Sequence, residues 1–452
     1  MSEQTPSASS KIWSNRWTFI LAASGSAIGL GNIWKFPYIT GDHGGGGVVL
    51  VYLICIVVIG IPLLMAETII GRYTRLSPLS GIKKLTSEQG VSSFWKIISW
   101  LGMLTGLLIL SFYSVTVGWS LSYAWDVLSN IFGDMTVAQI DNVFSELTLS
   151  APRQIMWHTV FMLVTLFITA RGIHKGLEKG FQVMMPVLFV LLFIMLGYSI
   201  LKTDAFMQGV RFMFAVDFST LTGATIIAAL GQALFTMGLS MCVLMAYGAY
   251  MPSHDSIAKT AFQVAILNTV MALIAGLIVF SIIFSYGLQP TIGPGLLFVS
   301  FTIAFSHMPM GHLFGCLFFV LIAIAALGSA ISLLEPAIAW LTERLKLSRI
   351  VAAALLCLTV WFVGLGTIFT FTGDLTVTFF DRNFFSFIDF LTSSILMPLV
   401  GLLTAIFAGW KMKRSTILNE LALSHGLFNL WRGIIRVIIP ACLIAVLVMT
   451  II

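Results

Sequence analysis

The residues with most chemistry to offer sit where apolar runs are broken. SGSAIGLGN (24–32) sets three glycines and Asn32 in the middle of the first long hydrophobic stretch, and WKFP follows. GQALFTMGLSM (231–241) repeats the disturbance, with Gln232, Thr236, Gly238 and Ser240 among apolar neighbours. Glycine costs a helix about 1 kcal/mol relative to alanine, and Pro37 removes a backbone donor. A helix that breaks at such a segment exposes carbonyls at the end of one half and N–H groups at the start of the other. The first set can coordinate a cation and the second can hold a carboxylate. Taken singly, each segment is equally consistent with close helix packing through small residues.

The elements that must position these residues are membrane spans. The chain has 452 residues, of which 58% are hydrophobic and only 9% charged, well under the roughly 25% charged residues of a soluble domain. Apolar runs of about 20 residues recur along it, each able to cross a hydrocarbon core roughly 30 Å thick. Helices satisfy their own backbone groups there, and the short alternating segments of a β-barrel do not occur. The fold class expected is an all-α integral membrane protein with eleven transmembrane helices. The spans are read at about 17–40, 48–70, 97–125, 155–171, 181–201, 222–250, 260–287, 312–341, 349–370, 384–410 and 433–452. A cytoplasmic N-terminus places all but five of the 24 Lys and Arg residues on the cytoplasmic side, the exceptions being Lys35, Arg153, Lys202, Arg211 and Arg382. The localisation expected is therefore multi-pass in a cell membrane, with the C-terminus outside and no cleaved signal ahead of the first span. The five cysteines all lie inside apolar runs without metal-ligand spacing.

The pairing of the two breaks organises the chain. Residues 1–16 form a polar N-terminal segment, 17–201 a first set of five spans, 202–410 a second set, and 411–452 a loop and the last helix. An odd number of spans per set inverts the second relative to the first. Discontinuous helices 1 and 6 then occupy corresponding positions in two inverted five-helix repeats, which points to a transport site at the membrane midplane.

Around both breaks the chain closely resembles the neurotransmitter:sodium symporter family. The resemblance is carried by GSAIGLGNIWKFPY, the DHGGGG loop, GIPLLMAETIIGR, GQALFTMGLS, LNT at Asn268 and ALGSAISLLEP in the eighth span. It runs in order from about Trp13 to the end of the eleventh span, and the eleven-span form is similar to the short bacterial amino-acid transporters of the family. The resemblance implies a first sodium site from the carbonyl of Ala27, the side chains of Asn32, Thr236 and Asn268, and the substrate carboxylate. These are hard oxygen ligands, as an alkali cation requires. It implies a second site from carbonyls of Gly25, Ile28 and Ala325 and the hydroxyl of Ser329. There the sequence departs from the family, because Gly328 stands where a hydroxyl or carboxylate residue usually precedes the serine. One sodium ion is expected on this reading, and two are compatible with it.

For the substrate, the resemblance implies a carboxylate at the N–H groups of Leu30 and Gly31 and at the Tyr113 hydroxyl. The amino group would meet carbonyls near Ala27, Phe235 and Thr236. Gly29 stands where monoamine-type members carry an Asp, so the substrate must bring its own carboxylate. The side-chain pocket would be lined by Ile109, Phe235, Gly238, Met241, Ser329 and Leu333, an apolar set in which a charged side chain is costly. Hydrophobic amino acids are expected, with bulky or aromatic ones accepted through Gly238 and the adaptable Met241.

Ionisable residues at membrane depth are functional candidates. Lys35 and Asp389 match the family's outer gate pair, with Lys as a point charge where Arg is usual. Glu343 and Trp13 match its inner gate, although the Arg position reads Ser10 and leaves Lys11 or Arg16 as substitutes. Glu67 is expected to accept hydrogen bonds from an unwound segment, and Glu335 to belong to the inner water pathway. Tyr52, Gln232, Thr236 and Asn268 match a chloride cluster whose last position reads Ala272, a pattern compatible with either anion requirement. Gly176 and Pro186 would either let the fifth span unwind locally or mark an ordinary helix start with a kink.

An enzyme is disfavoured. HGGG at His43–Gly46 has no GxSxG elbow after it, and the chain contains no HExxH motif and no phosphate-loop lysine. The short basic loops offer no nucleic-acid surface. The partners expected are a hydrophobic amino acid and membrane lipid, and a homo-oligomer is compatible with this reading. The alternative is a membrane amino-acid sensor or a channel without coupled transport.

Overall fold

The computed structural model describes residues 25, 29–129, 131–132, 135–171, 173–290 and 295–451, without side chains at 137, 138, 141, 173–184 and 451. Regular structure among them is helical, with one isolated bridge between Phe379 and Arg382. Nine of the described helices are long and apolar enough to cross a membrane. These are α2 (Gly46–Thr74), α3 (Ser93–Leu128), α4 (Ala151–Arg171), α5 (Met185–Lys202), α7 (Ile257–Ser285), α8 (Gly311–Arg344), α9 (Arg349–Thr372), α10 (Phe384–Lys411) and α11 (His425–Thr450). The other two expected spans are the broken ones. Of α1, a π-helical turn over Gly31–Lys35 runs on as Phe36–Asp42. The sixth is α6, whose first part Gly223–Thr236 is separated from a second part, Val243–Gly248.

Some helices begin or end several residues beyond the apolar runs, as at Ser93 ahead of 97 and Ala151 ahead of 155, because capping groups rather than hydropathy end a helix. Ser92 and Ser348 put their hydroxyls on backbone N–H groups at the starts of α3 and α9. The helix that contains α5 already starts at Ile173, ahead of 181, and runs through Pro186 without interruption. Helix α11 starts at His425, ahead of 433.

Four of the five π-helical turns share a sequence feature. Gly31–Lys35, Ile56–Gly60, Leu391–Leu396 and Ile434–Ile438 each end two residues before a proline, Pro37, Pro62, Pro398 and Pro440, whereas Phe407–Lys411 precedes none. Proline has no N–H and its ring crowds the carbonyl four residues back. A widened turn relieves that crowding and rotates the side chains before it. Such turns are frequent at functional sites.

Helix α3 packs along α8, α4 along α9, and the two parts of α6 lie against successive parts of α2. The second part of α6 comes closest: a Cβ on Gly71 would stand 1.9 Å from the Met245 carbonyl oxygen. Only glycine permits that approach.

Candidate functional site

The break in α6 is built from backbone geometry. After Thr236 the chain passes through Gly238 at φ +65°, Ser240 at 65° and Cys242 at 61° before Val243 resumes the helix. The last two carry side chains in the left-handed region, which costs of order 1–3 kcal/mol each and persists only where surroundings hold it. Glu67 supplies part of the hold, since its Oε1 accepts from the Ser240 N–H at 2.7 Å. This is the role expected from the sequence.

The break in α1 is built from close approach. Gly25 is buried, Gly29 lies in a bend, and the Leu30 N–H donates to the Tyr113 hydroxyl at 3.4 Å. A Cβ on Gly29 would stand 2.8 Å from both the Tyr113 and the Ser329 hydroxyl oxygens. A Cβ on Gly31 would stand 2.9 Å from the Phe235 ring. Helices α1, α3, α6 and α8 therefore meet at these two glycines.

Behind them lies a buried cluster of neutral oxygens. Asn32 Nδ2 donates to the Asn268 backbone carbonyl at 3.0 Å and to its Oδ1 at 2.6 Å. Gln232 Nε2 donates to the Gly31 carbonyl at 2.8 Å. Thr236 donates to the Gln232 carbonyl at 2.9 Å, and the Tyr52 hydroxyl lies 3.3 Å from its Oγ1. Asn32 Oδ1 is buried with no hydrogen-bond partner among the described residues. Buried acceptors are seldom left so, and an amide oxygen beside another amide and a threonine suits a small hard cation. Ala272 is fully buried near this cluster's helix face.

A cavity of about 30 Å³ lies against the broken helices. Its lining includes all six side-chain pocket residues expected, Ile109, Phe235, Gly238, Met241, Ser329 and Leu333, together with Tyr113 and Gly31. Val243 and Ser332 also line it and were not singled out in the sequence. The available signal was spacing: Ser332 follows Ser329 by three residues on α8, so both share a face. Gly25 and Ala325 are buried, and Gly328 uses its carbonyl to accept from Ser332 at 2.6 Å. Ala27, Ile28 and Trp13, like Ser10, Lys11 and Arg16, lie outside the described residues.

Lys35 on α1 is buried and forms an ion pair with Asp389 on α10, while its Nζ donates to Ser393 Oγ at 2.9 Å. The same ammonium lies 4.4 Å from the centroid of the Phe235 ring, close enough for a cation–π attraction. Lys35 stands on one π-helical turn and Ser393 on another. A cavity of about 460 Å³ opens beside this pair. At the start of α9, Arg349 grips Glu335 of α8 through two nitrogens at 2.5 and 3.1 Å and donates to the Thr169 carbonyl at 2.8 Å. Glu335 was expected near a water pathway, but its partner was missed, because the pair spans the turn between α8 and α9. Glu343 is exposed near the end of α8.

Two broken helices facing each other across a cluster of buried neutral oxygens, inside a helical membrane bundle, define an ion-coupled transporter. The family model for the sodium:neurotransmitter symporter family matches residues 10–146 and 137–452, and the chain belongs to that family. Over 450 residues it is 35% identical to a sodium-dependent transporter of Bacillus subtilis, covering 99% of this chain and 98% of that one. It is 32% identical to one of Haemophilus influenzae, covering 96% and 97%. Among solved structures, that of MhsT in complex with L-phenylalanine is similar with a TM-score of 0.93 and 36% identity, covering 97% of this chain and 99% of that one. The chain is thus a multi-pass membrane protein and a sodium-coupled amino-acid transporter.

Proposed function

We propose that this transporter imports hydrophobic L-amino acids, aromatic ones included, together with sodium, by alternating access. The observation that carries the reading is the buried, unpartnered Asn32 Oδ1 on a side chain bonded to Asn268, two residues from Leu30, whose N–H donates to the Tyr113 hydroxyl. Sodium would take the Asn32, Asn268 and Thr236 oxygens with the Ala27 carbonyl. The substrate carboxylate would complete that shell while lying against the Leu30 and Gly31 N–H groups and Tyr113. Gly29 supports this, since an acidic side chain there would collide with Tyr113 and Ser329. The MhsT structure, bound to L-phenylalanine, supports a bulky apolar side chain in the cavity.

A second sodium would use Gly25, Ile28, Ala325 and Ser329, one ligand short at Gly328. Lys35 and Asp389 would close the outer side above Phe235, and the Glu335–Arg349 pair the inner side, with the N-terminus cytoplasmic and the C-terminus outside. The two five-helix repeats would exchange these closures around the fixed site.

The test is uptake of labelled L-leucine and L-phenylalanine into proteoliposomes under an inward sodium gradient. Saturable accumulation that collapses when potassium replaces sodium is the expected result. Binding without accumulation would assign a sensor, and non-saturating flux a channel.

A further inference from the structure

One polar residue of the cavity lining has no part in the sodium and substrate sets given above. Ser332, on α8, lines the cavity and is otherwise buried. Its hydroxyl donates to the Gly328 carbonyl one turn back at 2.6 Å, the usual habit of a serine inside a helix. A carbonyl can only accept, so the serine hydrogen is committed there. Tyr247, on the second part of α6, is hydrogen-bonded to the same Ser332 oxygen and must be the donor in that contact. The serine oxygen therefore has no hydrogen left to give. It can accept one more bond, and Ser332 is among the residues that line the cavity. The remaining lining residues near it, Ile109, Met241, Val243 and Leu333, offer no side-chain hydrogen-bond donor.

We infer that Ser332, oriented by Tyr247 and Gly328, is a specificity-determining acceptor that favours amino acids whose apolar side chain ends in a single N–H or O–H donor, indole or phenol. This rests on the reading of the cavity as the side-chain site of an amino-acid symporter, and it names the substrate class within that site. A donor at the end of an aromatic ring gains a hydrogen bond in an enclosed site. A ring of the same size without one leaves the serine oxygen as it was. An acceptor-only group would face a lone pair and be rejected. Sites that hydrogen-bond a substrate N–H or O–H discriminate against analogues lacking it more sharply than apolar pockets discriminate by size.

The experiment compares L-tryptophan with 3-benzothienyl-L-alanine, in which sulfur replaces the indole N–H at nearly the same shape, and L-tyrosine with L-phenylalanine. Each competes against labelled L-leucine in sodium, on the full-length protein. Wild type is expected to prefer tryptophan over its sulfur analogue by about 5-fold, in the range of one neutral hydrogen bond. Ser332→Ala should bring that ratio close to one, and Ser332→Thr, which keeps the hydroxyl, should keep the preference. Using the ratio within each variant removes any general loss of binding. A wild-type ratio near one, with leucine bound normally, overturns the inference without needing any variant. So does a ratio that Ser332→Ala leaves unchanged. If wild type binds no amino acid in sodium, the underlying symporter reading fails first, and that outcome is visible in the leucine signal alone.

Discussion

The breaks in α1 and α6 both interrupt apolar helices beside one cavity, yet they are held open by different means. In α6 the chain turns through three positive φ angles, two of them at residues with side chains, and Glu67 fastens the turn through the Ser240 N–H. In α1 the described part of the break shows no such angles. There the glycines let neighbouring helices approach, and the π-helical turn before Pro37 directs Asn32 and Lys35. One break stores backbone strain; the other gathers polar partners from four helices. On the proposed reading the difference divides the tasks: the unwound part of α6 would offer exposed backbone groups, and α1 would bring Asn32 to the sodium shell.

That division can be broken at either side. The largest effect is expected from Asn32→Ala, which removes the unpartnered oxygen and should abolish sodium-dependent uptake; unchanged sodium dependence would place the ion elsewhere. Tyr113→Phe comes next. It removes a hydroxyl proposed to bind the substrate carboxylate, so amino-acid affinity should fall by about 1.5–3 kcal/mol, as for a hydrogen bond to a charged group. Normal affinity in equilibrium binding would reject the pose.

On the α6 side, Gly238→Ala is a clean probe, because a Cβ there meets nothing within 4 Å. Its cost should be purely conformational, about 1 kcal/mol, read as a lowered melting temperature with sodium shell intact. A sodium affinity that changes as much as Asn32→Ala changes it would erase the distinction between the breaks. The smallest effect is expected from Gly328→Thr, which restores a hydroxyl beside Ser329. It should lower the sodium concentration needed for half-maximal uptake a few-fold; no shift would mean that Gly328 is not the missing ligand.

Much of this was legible in the sequence, for reasons that can be named. Mid-span glycines and prolines report breaks because the bilayer offers no water to satisfy freed backbone groups, so 24–32 and 231–241 stood out. The six cavity-lining positions came from family resemblance, and the structure brings them around one cavity. Ser332 and Val243 escaped, since a serine in a helix reads as packing until the cavity beside it is seen. The Arg349–Glu335 pair escaped because nothing local links residues on either side of a tight interhelical turn. Four of the five π-helical turns were legible in principle, ending two residues ahead of a proline, but hydropathy does not resolve a turn of one extra residue.

If sodium and the substrate carboxylate share the shell at Asn32, as proposed, neither binds well alone. The most direct measurement is the affinity of the wild-type protein for labelled L-phenylalanine as sodium is titrated against potassium at constant ionic strength, with phenethylamine, which lacks the carboxylate, as competitor. Affinity should rise steeply with sodium, be lost in potassium, and be unaffected by phenethylamine. Equal affinity in potassium, or displacement by phenethylamine at concentrations similar to those of the amino acid, would contradict the account.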